Sequence, residues 1–168
     1  INGRSFELCM QTRFPYSKEV DITISCDSPL DASLEIRVPE WAAKSLAVNL
    51  NGKKIASGKP GTYIRLKRTW NNGDRLEFVL PAEFRTTRYA GMEKGFETGH
   101  YALEYGPVLM SAVCTGDNEE PNLPCTISKL VSNLLPVEGK PLHFTVSGCD
   151  DIEFMPYYEV QAQAFSNF

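Results

Sequence analysis

Basic clusters, metal-ligand clusters and long apolar runs are all missing from this chain. It carries 17 Lys and Arg against 21 Asp and Glu, for a net charge of -4, and the basic residues form no run that would attract phosphates. No nucleic acid partner is therefore expected. No apolar stretch approaches the roughly 20 residues that a membrane-spanning helix requires, so no membrane partner is expected. Histidine is scarce, with only His100 and His143, and no C-x-x-C pair accompanies them. No metal ligand is assigned on that basis. There is no G-x-S-x-G elbow, no P-loop and no G-x-G-x-x-G after a strand, which removes the usual signatures of acyl-transfer and nucleotide chemistry.

The first residues, Ile1-Asn2-Gly3, include no initiator methionine, and no secretion signal follows. The chain is expected to be a mature or excised segment of a longer product. Five cysteines, Cys9, Cys26, Cys114, Cys125 and Cys149, are odd in number and widely spaced. A disulfide framework is not expected, although a single bridge between Cys114 and Cys125 stays open. Cys9 and Cys26 lie in apolar or alternating runs, where a free thiol is expected to behave as a small buried hydrophobe.

What the chain does have is apolar and aromatic content, 42% and 11%, which supplies a core. Apolar residues alternate with polar ones at Val20-Ile22-Ile24, Leu34-Ile36-Val38, Leu46-Val48-Leu50, Ile64-Leu66 and Leu76-Phe78-Leu80. A period of two is the mark of a strand with one buried face. Asn51-Gly52 between two such runs supplies the positive φ angles of a tight hairpin, and Asn71-Asn72-Gly73-Asp74 and Lys59-Pro60-Gly61 mark further turns. The fold class is therefore all-β, an antiparallel β-sandwich. Trp41-Ala42-Ala43-Lys44 is expected to form at most one helical turn, and no long amphipathic helix is expected anywhere. From Arg85 to Gly99 glycines and charges replace the alternation, which suggests a long loop or domain junction. Strands are expected again at Tyr101–Tyr105, Val108–Val113, Leu142–Val146 and Ile152–Met155. The pattern divides the chain into a unit at 1–95 and a second β-rich unit at 96–168, with one continuous sandwich left open.

A glycosidase needs two carboxylates, about 5–5.5 Å apart for retention or about 6.5–9.5 Å for inversion. Asp21, Glu35 and Glu77 fall on the solvent phase of their strands and lack local partners in sequence. They read as solvated faces, and Glu104, beside Gly106-Pro107, is the first acidic residue to check. Cys114 reads as an inert thiol, and the oxygen-rich loop Asp117–Glu120 lacks an EF-hand pattern. No catalytic residue is assigned. Trp41, Trp70, Tyr157 and Tyr158 are the candidate carbohydrate-binding residues, as flat rings that stack on sugars, set against a role for Trp41 and Trp70 as core plugs at strand ends.

Several phrases, taken in order, resemble one family. These are Thr12-Arg13-Phe14-Pro15-Tyr16-Ser17, Leu34–Ala42 with its Pro39-Glu40-Trp41-Ala42 turn, Val48–Lys53, Gly61–Ile64, Arg68-Thr69-Trp70-Asn71-Asn72-Gly73-Asp74, and Tyr101–Leu109. Together they are similar to the C-terminal β-sandwich region of glycoside hydrolase family 127, the β-L-arabinofuranosidases. Beyond Ala112 the likeness thins to Met155-Pro156-Tyr157-Tyr158. The resemblance implies an (α/α)6 barrel upstream, with a zinc-bound Cys nucleophile and a Glu in that barrel, and no cofactor in this segment. It carries no catalytic or zinc position onto this sequence. It further implies a non-catalytic accessory region of a bacterial enzyme acting on arabinose-containing glycans. The expected partners are the barrel of the same polypeptide and a glycan, and an extracytoplasmic location accompanies them. An autonomous carbohydrate-binding module and an Ig-like adhesion or spacer domain are the rival expectations.

Overall fold

The computed structural model describes residues 3–89, 100–114, 123–161 and 165–166. The chain folds as two compact units, Ile1–Glu83 and Phe84–Phe168.

Unit 1 is built from the alternating segments. Its strands are β1 (Phe6–Thr12), β2 (Glu19–Cys26), β3 (Leu30–Arg37), β4 (Leu46–Leu50), β5 (Lys53–Gly58), β6 (Tyr63–Trp70) and β7 (Arg75–Val79). Five form one antiparallel sheet in the order β1-β2-β7-β4-β5, and β3 pairs with β6 as a separate ribbon. The inward phase of each strand meets in one cluster containing Ile24, Val38, Leu46, Val48, Leu50, Ile64, Leu66, Trp70 and Leu76. That is the antiparallel sandwich expected from the alternation. The hairpin turn holds Asn51 at φ 50° and Gly52 at φ 78°, the left-handed pair that Asn-Gly tolerates. Gly58 has a different reason to lack a side chain, because a Cβ there would lie 2.6 Å from Ile64 Cγ1 and 3.1 Å from Val38 Cγ2. Close approach of β5 to β6 depends on it.

Unit 2 is built on one seven-stranded antiparallel sheet. Its strands are β8 (Phe84–Tyr89), β9 (His100–Tyr105), β10 (Val108–Cys114), β11 (Leu134–Pro136), β12 (Phe144–Val146), β13 (Cys149–Pro156) and β14 (Phe165–Ser166), with the short helix α1 (Ile127–Asn133) between β10 and β11. The order is β11-β12-β13-β10-β9-β8, and β14 also pairs with β10. Leu103, Met110, Ala112, Val146, Ile152 and Phe154 build the core, and Leu130 of α1 is fully buried in it. Tyr157–Glu159 forms a 3₁₀ turn after β13.

Four expectations need correction. The segment Phe84–Tyr89 is a strand and not the start of a loop, because it pairs with β9 along its whole length. Its half-buried phase is Phe84 and Thr86, too weakly apolar to show as alternation. Residues 90–99, the remainder of the proposed junction, lie outside the described residues, as does the Asp117–Glu120 loop. Trp41–Lys44 forms no helical turn; the turn lies over Pro39–Ala42, with Ala42 N donating to Pro39 O at 3.2 Å. All five cysteines are free, so the Cys114–Cys125 bridge is absent. Cys26 is buried as expected, but Cys9 is exposed because β1 is an edge strand.

Among the described residues, no helix is long and apolar enough to cross a membrane.

Candidate functional site

The four aromatic candidates meet different fates. Trp70 ends β6 and is 0% exposed. Its Nε1 donates to Ala32 O at 3.1 Å, and the Arg68 guanidinium lies 5.2 Å from its ring centroid. A ring with no accessible surface cannot stack on a sugar, so Trp70 is a core residue and not a platform. Trp41 is half-buried beside the same core, and Phe14 stacks on it with centroids 5.5 Å apart and planes 13° apart. One face of that indole is therefore already covered. Tyr157 and Tyr158 are 52% and 56% exposed, both on the 3₁₀ turn. Such a turn has about 3 residues per revolution, so neighbouring side chains project in different directions. The two tyrosines offer separate rings and not one flat surface.

The same turn carries Glu159, which belongs to a polar cluster that the sequence reading missed. His143 Nδ1 lies 2.5 Å from Glu153 Oε1 and His143 Nε2 lies 2.9 Å from Glu159 Oε2. Lys140 Nζ donates to both Glu153 oxygens at 3.0 and 3.2 Å. The His143 and Glu153 side chains are only 12% and 11% exposed. An ionised carboxylate only accepts hydrogen bonds, so the His143 ring lies between two acceptors. Burial raises the Glu153 carboxyl, but hydrogen bonds from His143 and Lys140 outweigh it and hold the group below the usual carboxylate range. His143 and Glu153 face each other from the loop ahead of β12 and from β13, a pairing set by sheet register. Spacings of 10 and 16 residues give no sequence motif.

The acidic residues named from sequence are each tied to a cation. Glu104 on β9 accepts from Arg85 Nε and Nη2 of β8, both at 2.9 Å, and from the Thr87 hydroxyl at 2.7 Å. The Arg85 bond, with Thr87 assisting, pulls this carboxyl below its ordinary range against the opposing effect of burial. A carboxyl held ionised in that way is unsuited to donate a proton. Glu35 accepts from Arg65 at 2.7 Å. Asp21 accepts from Arg75 at 2.7 and 3.0 Å, and Glu77 lies 3.6 Å from the same guanidinium. Asp21, Arg75, Glu77, Asn49 and Val79 line a trough of about 690 Å³ on unit 1.

Among the described residues no group of three or more His, Cys, Asp or Glu side chains is placed to hold a metal ion.

Residues 1–82 match the family model "Beta-L-arabinofuranosidase, GH127 middle domain". That match covers just under half of the chain, which is in this part similar to a domain of the GH127 arabinofuranosidases. Over 70% of its length it is 28% identical to a GH127 β-L-arabinofuranosidase from Geobacillus stearothermophilus T6, with a TM-score of 0.58, covering 19% of that chain. A glycoside hydrolase structure matches 96% of this chain at 18% identity and TM-score 0.63, with 32% of the other chain covered. A GH127 β-arabinofuranosidase matches 98% at 17% identity and TM-score 0.60, with 31% covered. These last two show a shared fold. The chain thus spans less than a third of the length of each of these three solved chains. No curated protein matches it. The matched model describes a middle domain, whereas the sequence reading expected a C-terminal one.

Proposed function

We propose that this chain is a non-catalytic structural region of a glycoside hydrolase acting on arabinose-containing glycans, and that its catalytic barrel lies elsewhere in the same polypeptide. The observation that carries the proposal is the GH127 middle-domain match over residues 1–82. The carboxylates described above support it, since Asp21, Glu35, Glu77 and Glu104 each pair with an arginine. In this role the sandwich buttresses a neighbouring domain, and the sugar chemistry belongs to that neighbour. The burial of Trp70 and the covered face of Trp41 weigh against a binding module built on those two rings.

The test is an assay of two proteins on an aryl β-L-arabinofuranoside. One is the 168-residue chain, and the other is the complete natural polypeptide that contains it. Turnover by the complete polypeptide alone is the expected result. Hydrolysis by the 168-residue chain, or a complete polypeptide with no glycosidase activity on arabinose-containing substrates, overturns the proposal. Tight glycan binding by the isolated chain would favour the module reading instead.

A further inference from the structure

We propose that the trough on the outer face of the five-stranded sheet of unit 1 is a low-affinity site for a neutral oligosaccharide. The choice of a sugar chain among hydroxyl-rich ligands rests on the reading just given, that the chain is part of a glycoside hydrolase.

The register of three neighbouring strands builds the trough floor. Asp21 of β2 pairs with Glu77 of β7, and Glu77 pairs with Asn49 of β4. Directly paired residues in an antiparallel ladder share a face, so these three side chains form one row across the sheet. The row faces away from the core, because the alternate residues Val20, Val48 and Leu76 are the buried ones. At about 4.8 Å between strands the row runs about 10 Å, longer than one sugar ring. Continuing the register by one step places Ala47 opposite Val79 beside the row, and both are exposed. The trough holds about 690 Å³, within the roughly 300–1,000 Å³ of small-molecule sites.

Its chemistry selects a ligand without charge. Lys18, Lys44 and Arg75 line it against Glu19, Asp21, Glu77 and Glu83, so an anion meets carboxylates and a cation meets other cations. A hydroxyl both donates and accepts, and it suits a surface on which acceptors and donors are interleaved. The acceptors are already fixed in place. Asp21 is held by Arg75 at 2.7 and 3.0 Å, and Glu77 accepts from Gly52 N at 3.2 Å. Fixed groups need little ordering on binding. Asn49 supplies the free polar group. It is half-buried in the floor, yet its amide has no hydrogen-bond partner among the described residues. Its NH2 and carbonyl are left to meet a pair of neighbouring hydroxyls. Val79, 53% exposed, and Ala47 offer apolar contact to the C–H face of a ring.

No tryptophan or tyrosine lines the trough, so aromatic stacking adds nothing to its affinity. A Kd of about 1–10 mM is expected. That is too weak for a free-standing module. It is useful within one polypeptide, where a glycan already held elsewhere meets the trough at high effective concentration.

Titrating the isotope-labelled 168-residue chain with an arabinofuranose disaccharide, and following amide chemical shifts, tests the proposal. Shift changes should gather on β2, β4 and β7 and on the Asn49 side-chain NH2. Asn49→Ala should weaken binding about fivefold, the loss of one hydrogen-bonding group. Because Asn49 has no side-chain partner in the fold, this variant should keep the wild-type urea midpoint, which separates binding from folding. In the complete natural polypeptide Lys44 reports on the trough through amine acylation read by peptide mass spectrometry. It should react freely, and slow about threefold or more when the disaccharide is at several times its Kd. Lys67, on β6, should keep its rate.

A Lys44 that is already blocked without sugar places a neighbouring domain in the trough and overturns the proposal. So do equal shift changes from glycerol, or changes that gather on Tyr157 and Tyr158 instead. No change up to about 50 mM disaccharide, when the complete polypeptide hydrolyses arabinosides, removes the site and leaves the functional reading standing. Binding at the trough in a polypeptide with no glycosidase activity on arabinose-containing substrates keeps the site and removes that reading.

Discussion

Asn51 and Asp74 lock two turns of unit 1 together. Asn51 Nδ2 donates to Asp74 Oδ1 at 2.9 Å, while Asn51 Oδ1 accepts from Arg75 N at 2.9 Å. The second Asp74 oxygen accepts from Asn71 N, also at 2.9 Å. One side chain from the β4–β5 turn and one from the β6–β7 turn thereby satisfy each other and the backbone between them. Asp74 is 7% exposed, so its charge depends on these donors.

Replacing Asp74 by Ala should cost unit 1 about 1–3 kcal/mol, since it leaves the part-buried donors Asn51 Nδ2 and Asn71 N without this partner. Asn51→Ala should cost a similar amount, and the double variant less than the sum, because the two residues share one network. Both tryptophans, Trp41 and Trp70, lie in unit 1, so fluorescence-detected urea unfolding reads that unit separately. Additive costs in the double-mutant cycle would break the link drawn between the turns.

The same residue fixes a pH dependence. Burial raises the Asp74 carboxyl, but the hydrogen bonds from Asn71 and Asn51 outweigh it and hold it below the ordinary Asp value. The unfolded chain then binds the proton more readily than the folded one does. The stabilisation is fully present above the unfolded value, near 3.9, and is lost as pH falls through the lower folded value. Asp74→Asn should therefore destabilise unit 1 at pH 6, with the gap to wild type closing in acid. A gap that stays constant down to about pH 2 would contradict this.

Gly58→Ala should destabilise unit 1 by about 1–3 kcal/mol through overpacking. The added Cβ meets Ile64 Cγ1 at 2.6 Å, well inside contact distance. In an Ile64→Ala background that neighbour is gone, and the penalty of Gly58→Ala should shrink. Urea unfolding of the four proteins in the cycle measures both numbers. An unchanged penalty would assign the cost to something other than Ile64.

The strands that sequence revealed are those with one clean buried face. Val20, Ile24, Leu46, Val48, Ile64 and Leu66 are all buried, and their polar neighbours face water. β1 escaped because its residues beyond Phe6 are exposed on both faces, so no contrast is written into them. β8 escaped because Thr86 takes the place of an aliphatic residue on its inner phase. α1 is short, has no side-chain cap and no acidic residue in its first turn, and is held instead by Leu130 in the core. Of the site, sequence picked out Tyr157 and Tyr158 as surface rings but not their splay. Trp70 was legible as an aromatic at a strand end, yet only the paired ribbon shows that its ring is buried. The His143 cluster left no trace, since strand register rather than spacing assembles it.

In that cluster Glu153 is 8% exposed, and its carboxylate is held by His143 and Lys140. Lys140 is 54% exposed, so water screens its part and His143 supplies most of the stabilisation. His143→Leu should strand a buried carboxylate and cost unit 2 about 3 kcal/mol or more, whereas pairing it with Glu153→Leu should recover part of that loss. The Glu153 carboxyl lies below its usual range in the folded chain, so its contribution is complete above the unfolded glutamate value, near 4.3. It fades as pH falls through the folded value. Amide hydrogen exchange reads unit 2, which holds no tryptophan. Protection over Phe144–Val146 and Cys149–Pro156 should fall in acid as Glu153 takes up its proton, and protection that stays flat down to about pH 2 in the wild type would mean that this carboxylate does not hold the sheet.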